Sequence, residues 1–391
     1  MVHPRGGAWG VPRLRAAVAR AGRGLQAVAV GPRALAVRRR YGDPDLAVAF
    51  WGGIGDDLLL TGVLRELRRR GVRHAWVLSG HPDVWRGNPD PARVLPWDQR
   101  YARWMQLFGW NVLHPHYTHY LPDEDRDVSP PRHILTMMCE LVGIVGPIAR
   151  RTYLHLSDAE RDRGARVPNQ IAIQSGGMSA RFAMRTKQWF PDRFQAVVDA
   201  LRGDFDFVQI GSRSDPPLDG VLDLRGAASV RESAAVLARS LVFVGQVGMP
   251  MHLARAVDCP AVIVYGGREH PRQTGYACNE NLYASVPCSP CWKLNWCGHD
   301  LRCMREITAA DVVAAVERQL SRRGRPLAVD TDDIAPSRVA SRVTSDGRTL
   351  LSVADVKGVR REIEARFAGP DDGEPARGSG GGPRRADTAV A

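Results

Sequence analysis

The 391-residue sequence has no uninterrupted apolar run near the ~18 residues that cross a bilayer, which argues against an integral membrane protein. No apolar h-region with a small-residue cleavage site opens the chain, so no signal peptide is read and a cytoplasmic location is expected. Internal repeats at solenoid periods are absent. Lysine is scarce beside abundant Arg, Ala and Gly, a composition that points to a GC-rich bacterial genome. Residues 1–40 contain no Asp or Glu but nine arginines, so they carry nine of the twelve net positive charges and leave three for the rest. The body of the chain is therefore not a basic nucleic-acid binder by composition, and no nucleic-acid partner is expected. Residues 1–42 read as a basic, solvated and flexible arm. Contact with anionic lipid headgroups, which would place the protein peripherally at the inner face of the membrane, is an alternative, as is an organelle transit peptide.

What is present is ordinarily globular, at 44% hydrophobic and 25% charged, and the length suits two domains. The run 46–51 reads as a buried strand entering Gly52-Gly53-Ile54-Gly55-Asp56-Asp57. An amphipathic helix follows over 58–70 and a second strand over 74–78. Strand, glycine turn, helix and strand make a βαβ unit and predict a parallel sheet. Residues 97–121 are crowded with Trp, Tyr and His, either a sugar-binding wall or core and rim packing. After a polar stretch at 156–169, a second βα series begins at 170–174 and runs through strands at 205–210, 241–244 and 261–265. The expected architecture is α/β, with two Rossmann-like halves facing a central cleft over 43–160 and 168–322. Residues 323–368 form an extension with one amphipathic helix at 352–367, and 369–391 read as a disordered tail.

Three glycine-rich strand ends are candidates for chemistry. Of the consecutive acids Asp56 and Asp57, one is expected to cap the helix while the other faces the cleft as a general base. Ser175-Gly176-Gly177 brings backbone N–H groups toward phosphate oxygens, and Lys187 follows at loop distance as a counter-charge for a leaving diphosphate. Gly245 to His252 joins a strand to a helix and offers another anion site, although a lone helix histidine is equally a structural residue. Cys288, Cys291, Cys297 and Cys303 have the spacing C-x2-C-x5-C-x5-C, which suits a structural zinc or iron; buried free thiols and disulfides are the alternatives.

The order of these motifs resembles glycosyltransferase family 9, the ADP-heptose-dependent heptosyltransferases. The likeness rests on Gly52 to Leu67, Ser175-Gly-Gly177, Lys187-Gln-Trp-Phe-Pro-Asp-Arg-Phe194, Asp223-Leu-Arg-Gly226, Ser229-Val-Arg-Glu232, Phe243 to Ala254 and the cysteine-rich loop 288–303. It implies a GT-B fold and an inverting transfer of a sugar, a heptose first among them, from a nucleoside diphosphate to a hydroxyl, with no cofactor required for catalysis. The donor is implied to be ADP-linked, and the acceptor a glycolipid, a protein or a small molecule. By the same likeness Asp56 deprotonates the acceptor and Lys187 stabilises the departing diphosphate. Ser175, Gly176, Gly177, Gly245, Gln246, Gly248, Met251 and His252 line the donor, while Gly53, Gly55 and Asp57 lie on the acceptor side. The family's usual donor-contacting Asp is Val247 here, and its first-helix proline is Gly62. A nucleotide-sugar epimerase and a non-catalytic nucleotide-sugar binder share the architecture.

Overall fold

The computed structural model describes residues 31–335, apart from residues 51, 99–103, 106–107 and 181. The expected helix at 352–367, the tail and the first thirty residues of the arm lie outside the described residues. Residues 31–41, assigned by sequence to the arm, are helical (α1). Ala34 is buried in this helix and the Arg38 guanidinium lies 5.4 Å from the Phe108 ring, so the segment packs as part of the N-terminal domain.

That domain is built on four parallel strands, β1 (Leu46–Ala49), β2 (Ala75–Ser79), β3 (Arg93–Pro96) and β4 (Val112–Leu113), in the order β3-β2-β1-β4. β1 and β2 are buried at every position, as expected for strands covered on both faces. Between them runs α2 (Ile54–Arg69), which starts four positions earlier than the apolar pattern suggested because the two acids belong to its first turn. Leu60, Val63, Leu64 and Leu67 put one buried stripe at helical spacing, Arg68 and Arg69 face the negative end of the helix dipole, and Gly71 at φ +88° ends the helix. Gly62 sits mid-helix, where glycine costs about 1 kcal/mol relative to alanine. A Cβ there would overlap the Arg151 carbonyl oxygen, so the close approach of the 150–153 segment requires it.

After the N-terminal sheet come a short hairpin, β5 (Tyr120–Leu121) and β6 (Arg126–Asp127), the buried helix α3 (Ile134–Leu141) and strand β7 (Gly146–Ala149). The polar 156–169 stretch contains a short helix, Asp158–Asp162, closed by a Ser157–Glu160 capping box. The C-terminal domain is a six-stranded parallel sheet, ordered β10-β9-β8-β11-β12-β13, of β8 (Gln170–Ile173), β9 (Asp206–Gln209), β10 (Leu222–Asp223), β11 (Val242–Gln246), β12 (Ala261–Gly266) and β13 (Glu280–Tyr283). Helices α4 (Pro191–Leu201), α5 (Val230–Arg239), α6 (Met249–Ala256) and α7 (Ala309–Ser321) cover it.

Both sheets reverse strand order at one place. In the first, the chain leaves β1 for β2 and β3, then returns to β4 on the other side of β1. In the second, it leaves β8 for β9 and β10, then returns to β11. Such reversals open a crevice at the carboxyl ends of the flanking strands. The crevices here hold Gly52 to Asp56 in one domain and Ser175 to Gly177 with Gln246 to Gly248 in the other.

Three of the ties between the domains stand out. Strand β14 (Thr331–Ile334) returns from the C-terminal domain and pairs antiparallel with β7, with Ile334 entering the core next to α3. The extension assigned to 323–368 therefore begins as part of the N-terminal domain. Arg231, at the start of α5, donates to both Glu160 oxygens at 2.6 and 2.8 Å and to the carbonyls of Asp83 and His155 at 3.0 and 2.6 Å. The cavity beside it is lined by Arg86, Arg163 and Arg166 with Asp83, Glu160 and Glu232, and by none of the expected site residues. The third tie is the β5–β6 hairpin, which docks on residues 291–296.

Candidate active site

The two glycine turns meet across the cleft. A Cβ on Gly55 in the first turn of α2 would lie 3.5 Å from both His252 and Met249 of α6, so helix N-termini from the two domains face each other. α6 opens at Gly248 without a side-chain cap, which leaves its positive dipole end for another group.

Asp56 both closes the start of α2 and stands at the cleft, the two places that the sequence reading divided between two acids. Its Oδ2 accepts from the Gly53 N–H at 2.7 Å, closing the start of α2, and its Oδ1 accepts from the Tyr117 hydroxyl at 2.9 Å. Burial pushes its pKa above the ordinary carboxylate value, against the pull of the Gly53 N–H, the Tyr117 hydroxyl and the Lys187 charge. A half-buried carboxylate with a raised pKa is the form of acid that takes a proton near neutrality. Gly53 is the helix N-cap, and Gly52 is required sterically, because a Cβ there would overlap Asp56 Oδ2 and the Phe50 ring. Asp57 points elsewhere. It is 2% exposed and accepts from Ser79 Oγ at 2.6 Å, and burial pushes its pKa up to about 7. It belongs to the interior of the N-terminal domain and lines no acceptor surface.

Lys187 ends a short 3-10 turn, and its Nζ lies 2.5 Å from Glu269 Oε1. Burial lowers its pKa, and the Glu269 charge works in the opposite direction. Burial alone would raise Glu269, but the Lys187 and Arg268 charges outweigh it and bring its pKa to about 2. Arg268, 1% exposed, donates to Glu269 and reaches Asp127 Oδ2 of the N-terminal domain at 2.7 Å. Nothing in the spacing of the sequence marks Tyr117, Asp127, Arg268 and Glu269 as partners of Asp56 and Lys187. The one available signal is that Arg268-Glu269 follows Gly266-Gly267 at a strand end, as Asp56 follows its own glycines.

The remaining expected donor residues divide into two sets. Gln246 accepts from the Trp189 N–H at 3.2 Å and donates to Gln188 Oε1 at 2.9 Å, and a Cβ on Gly177 would lie 3.0 Å from its amide nitrogen. Gly177, Gln188 and Gln246 thus sit together, next in sequence to Lys187. His252 is buried, with Nδ1 2.7 Å from the Tyr276 hydroxyl; burial, then the Lys187 charge, lower its pKa to about 4, so it is neutral at pH 7. Ser175 is buried and bonded internally, accepting from Gln209 at 2.8 Å and donating to the Pro216 carbonyl at 2.5 Å. A Cβ on its neighbour Gly176 would lie 2.9 Å from Pro216, so that glycine serves close packing. Gly245 has the same role, since a Cβ there would lie 2.5 Å from the Phe243 ring. Met251 is fully buried and takes a contact from the Tyr265 hydroxyl at 3.3 Å, and Val247 is buried in the core. Both are packing residues.

The metal centre expected at the cysteine loop is not shown. Cys288, Cys291, Cys297 and Cys303 are all free thiols, and among the described residues no group of three or more His, Cys, Asp or Glu side chains is placed to hold a metal ion. Four thiols are a donor set of the right chemistry for zinc or iron, but the structure does not show the expected centre. Backbone bonds hold the loop instead, from the Cys291 N–H to the Gly267 carbonyl at 3.2 Å and from the Trp292 N–H to the Arg268 carbonyl at 3.0 Å. Among the described residues no helix is long and apolar enough to cross a membrane.

No protein-family model and no curated protein matches the chain in sequence. Solved structures match it in shape. A glycosyl transferase family 9 protein from Veillonella parvula aligns over 72% of this chain and 98% of its own, at 17% identity and a TM-score of 0.54. The E. coli ADP-heptose lps heptosyltransferase II aligns over 72% and 100%, at 13% identity and 0.53. TibC of enterotoxigenic E. coli, described as a bacterial iron-containing dodecameric glycosyltransferase, aligns over 72% and 76%, at 19% identity and 0.51. At these identities the likeness is one of fold: the chain has the two-domain GT-B architecture seen in glycosyltransferases of family 9.

Proposed function

We propose that this protein is an inverting glycosyltransferase that moves a sugar from a nucleoside diphosphate to a hydroxyl acceptor, with ADP-heptose the first donor to test. The observation that carries the reading is the placement of Asp56 and Lys187, from different domains, within electrostatic reach of each other where the two glycine turns meet. Inverting transfer needs a base on one face of the anomeric carbon and charge stabilisation of the leaving group on the other. Asp56 takes the acceptor proton as the hydroxyl oxygen attacks. The bond to the diphosphate oxygen breaks, and the negative charge that grows there meets Lys187 and the uncapped N-terminus of α6. The Gln188–Gln246 pair beside Gly177 supplies neutral hydrogen-bonding groups to the same region. The fold shared with an ADP-heptose heptosyltransferase supports the donor class. Val247 removes the carboxylate that the family resemblance would put against the sugar, which leaves donor recognition to backbone and amide groups.

The acceptor side carries an aromatic and imidazole face. The Phe50 ring lies 4.5 Å from His116, and His114 and His116 stack at 6.4 Å. Such a face suits a hydroxyl-bearing sugar or an aromatic group. Incubation with ADP-heptose and a panel of hydroxyl acceptors, followed by mass spectrometry, tests the reading. Release of ADP with a glycosylated product supports it, and an Asp56→Asn protein that transfers as fast as wild type overturns it.

A further inference from the structure

One stretch of the N-terminal domain reaches both reacting groups. Tyr117 holds Asp56, and ten residues later Asp127 begins a chain of alternating charge, Asp127–Arg268–Glu269–Lys187, that crosses to the C-terminal domain. Arg268 is buried, lies 4.9 Å from the Trp292 ring and donates to the Lys293 carbonyl at 2.8 Å. The hairpin that carries Asp127 is docked on the same loop. The Asp127 N–H donates to the Trp292 carbonyl at 3.0 Å, and the Asp125 carboxylate accepts from the Asn295 and Trp296 N–H groups at 2.8 and 3.0 Å. That loop also fixes the neighbour of Lys187, since the Thr186 N–H donates to the Leu294 carbonyl at 3.1 Å.

We infer that Asp127 is a positioning residue for Lys187: by engaging Arg268 it leaves Glu269 to hold the ε-ammonium, so the donor lysine is set in place only when the N-terminal hairpin is docked on the C-terminal domain. The inference rests on the reading of Lys187 as the diphosphate cation. Physically, Arg268 is too buried for water to replace a lost carboxylate partner. Without the Asp127 charge it turns its full valence to Glu269 and competes with Lys187 for the same oxygens.

The chain has only three lysines, so the state of Lys187 can be read by competitive acetylation and peptide mass spectrometry, with Nα-acetyl-lysine as the standard. Asp127→Asn should raise the acetylation rate of Lys187 several-fold, because the amine loses a negative neighbour and a share of Glu269; Asp127→Glu should restore it. An unchanged rate in a folded Asp127→Asn protein overturns the inference. A second arm measures ADP affinity in a double-mutant cycle. Asp127→Asn should weaken ADP binding by about tenfold, the scale of one charge-assisted bond, and have no further effect in a Lys187→Ala background. Additive losses would overturn the inference. Raised Lys187 reactivity in Asp127→Asn, with a wild-type protein that binds none of ADP, GDP and UDP, would uphold the coupling while overturning the transferase reading.

Discussion

At the scale of single residues, Asp56 is held by two donors whose geometry leaves little slack. Replacing it with Asn keeps the cap acceptor and the volume but removes the base, so transfer should fall by about 10²–10⁴-fold with nucleotide affinity unchanged, measured by initial rates and calorimetry. Because burial raises its pKa, kcat/KM should rise as pH climbs through that raised value and fall below it, and the acid limb should be missing from Asp56→Asn. Asp57 makes a separate pH prediction. Its folded pKa of about 7 lies above the unfolded value near 3.9, so the folded state keeps a proton that the unfolded chain gives up. Stability should therefore decline between about pH 4 and 7, and Asp57→Asn should flatten that decline in urea titrations at fixed pH. A pH profile identical in both proteins would contradict the burial argument. Asp56 and Lys187, the two residues to which we assign catalytic roles, were legible because each follows a glycine-rich strand end. Their partners were not, since Tyr117, Asp127, Arg268 and Glu269 are single residues brought together only by the closure of two domains. The four-cysteine spacing shows that the thiols are near in sequence, while a metal centre needs their sulfur atoms to converge on one point, which spacing does not decide.

At the scale of elements, the central parallel strands β1, β2, β8, β9, β11 and β12 follow the sequence pattern, because βαβ units are local and their buried strands are continuous apolar runs such as Leu46–Ala49 and Ala261–Gly266. The short strands β3, β4, β5, β6, β7 and β10 escaped that reading, and so did β13 and β14. Glu280–Tyr283 is a half-buried edge strand without alternation, and Thr331–Ile334 carries two acids. β14 is fixed by tertiary partners instead, with Arg150 3.3 Å from Asp330 and Arg132 donating to the Asp333 carbonyl at 3.0 Å. Its one deeply buried side chain is Ile334, at 1% exposure. Ile334→Ala should cost about 2–4 kcal/mol in a denaturant melt, through lost transfer energy and a cavity beside α3. A loss under about 0.5 kcal/mol would show that the strap adds no packing to the N-terminal core.

At the scale of the whole molecule, function depends on how two domains are held. The Arg231 fork is buried to 7% exposure while its partner Glu160 keeps 19%, so the pair is partly screened. Arg231→Met should destabilise by about 2–3 kcal/mol, less than the loss of a fully buried pair, and should widen the domain arrangement in solution scattering. An unchanged radius of gyration would show that the other contacts between the domains hold the arrangement without Arg231. The central claim is that the cleft holds a nucleoside diphosphate on Lys187 opposite Asp56. Its most direct test is a thermal-shift titration with ADP, GDP, UDP and their sugar conjugates, run beside Lys187→Ala. The account predicts saturable stabilisation by one nucleotide, carried by its sugar conjugate as well and lost in the variant. No shift with any of them, or an equal shift in Lys187→Ala, would contradict it.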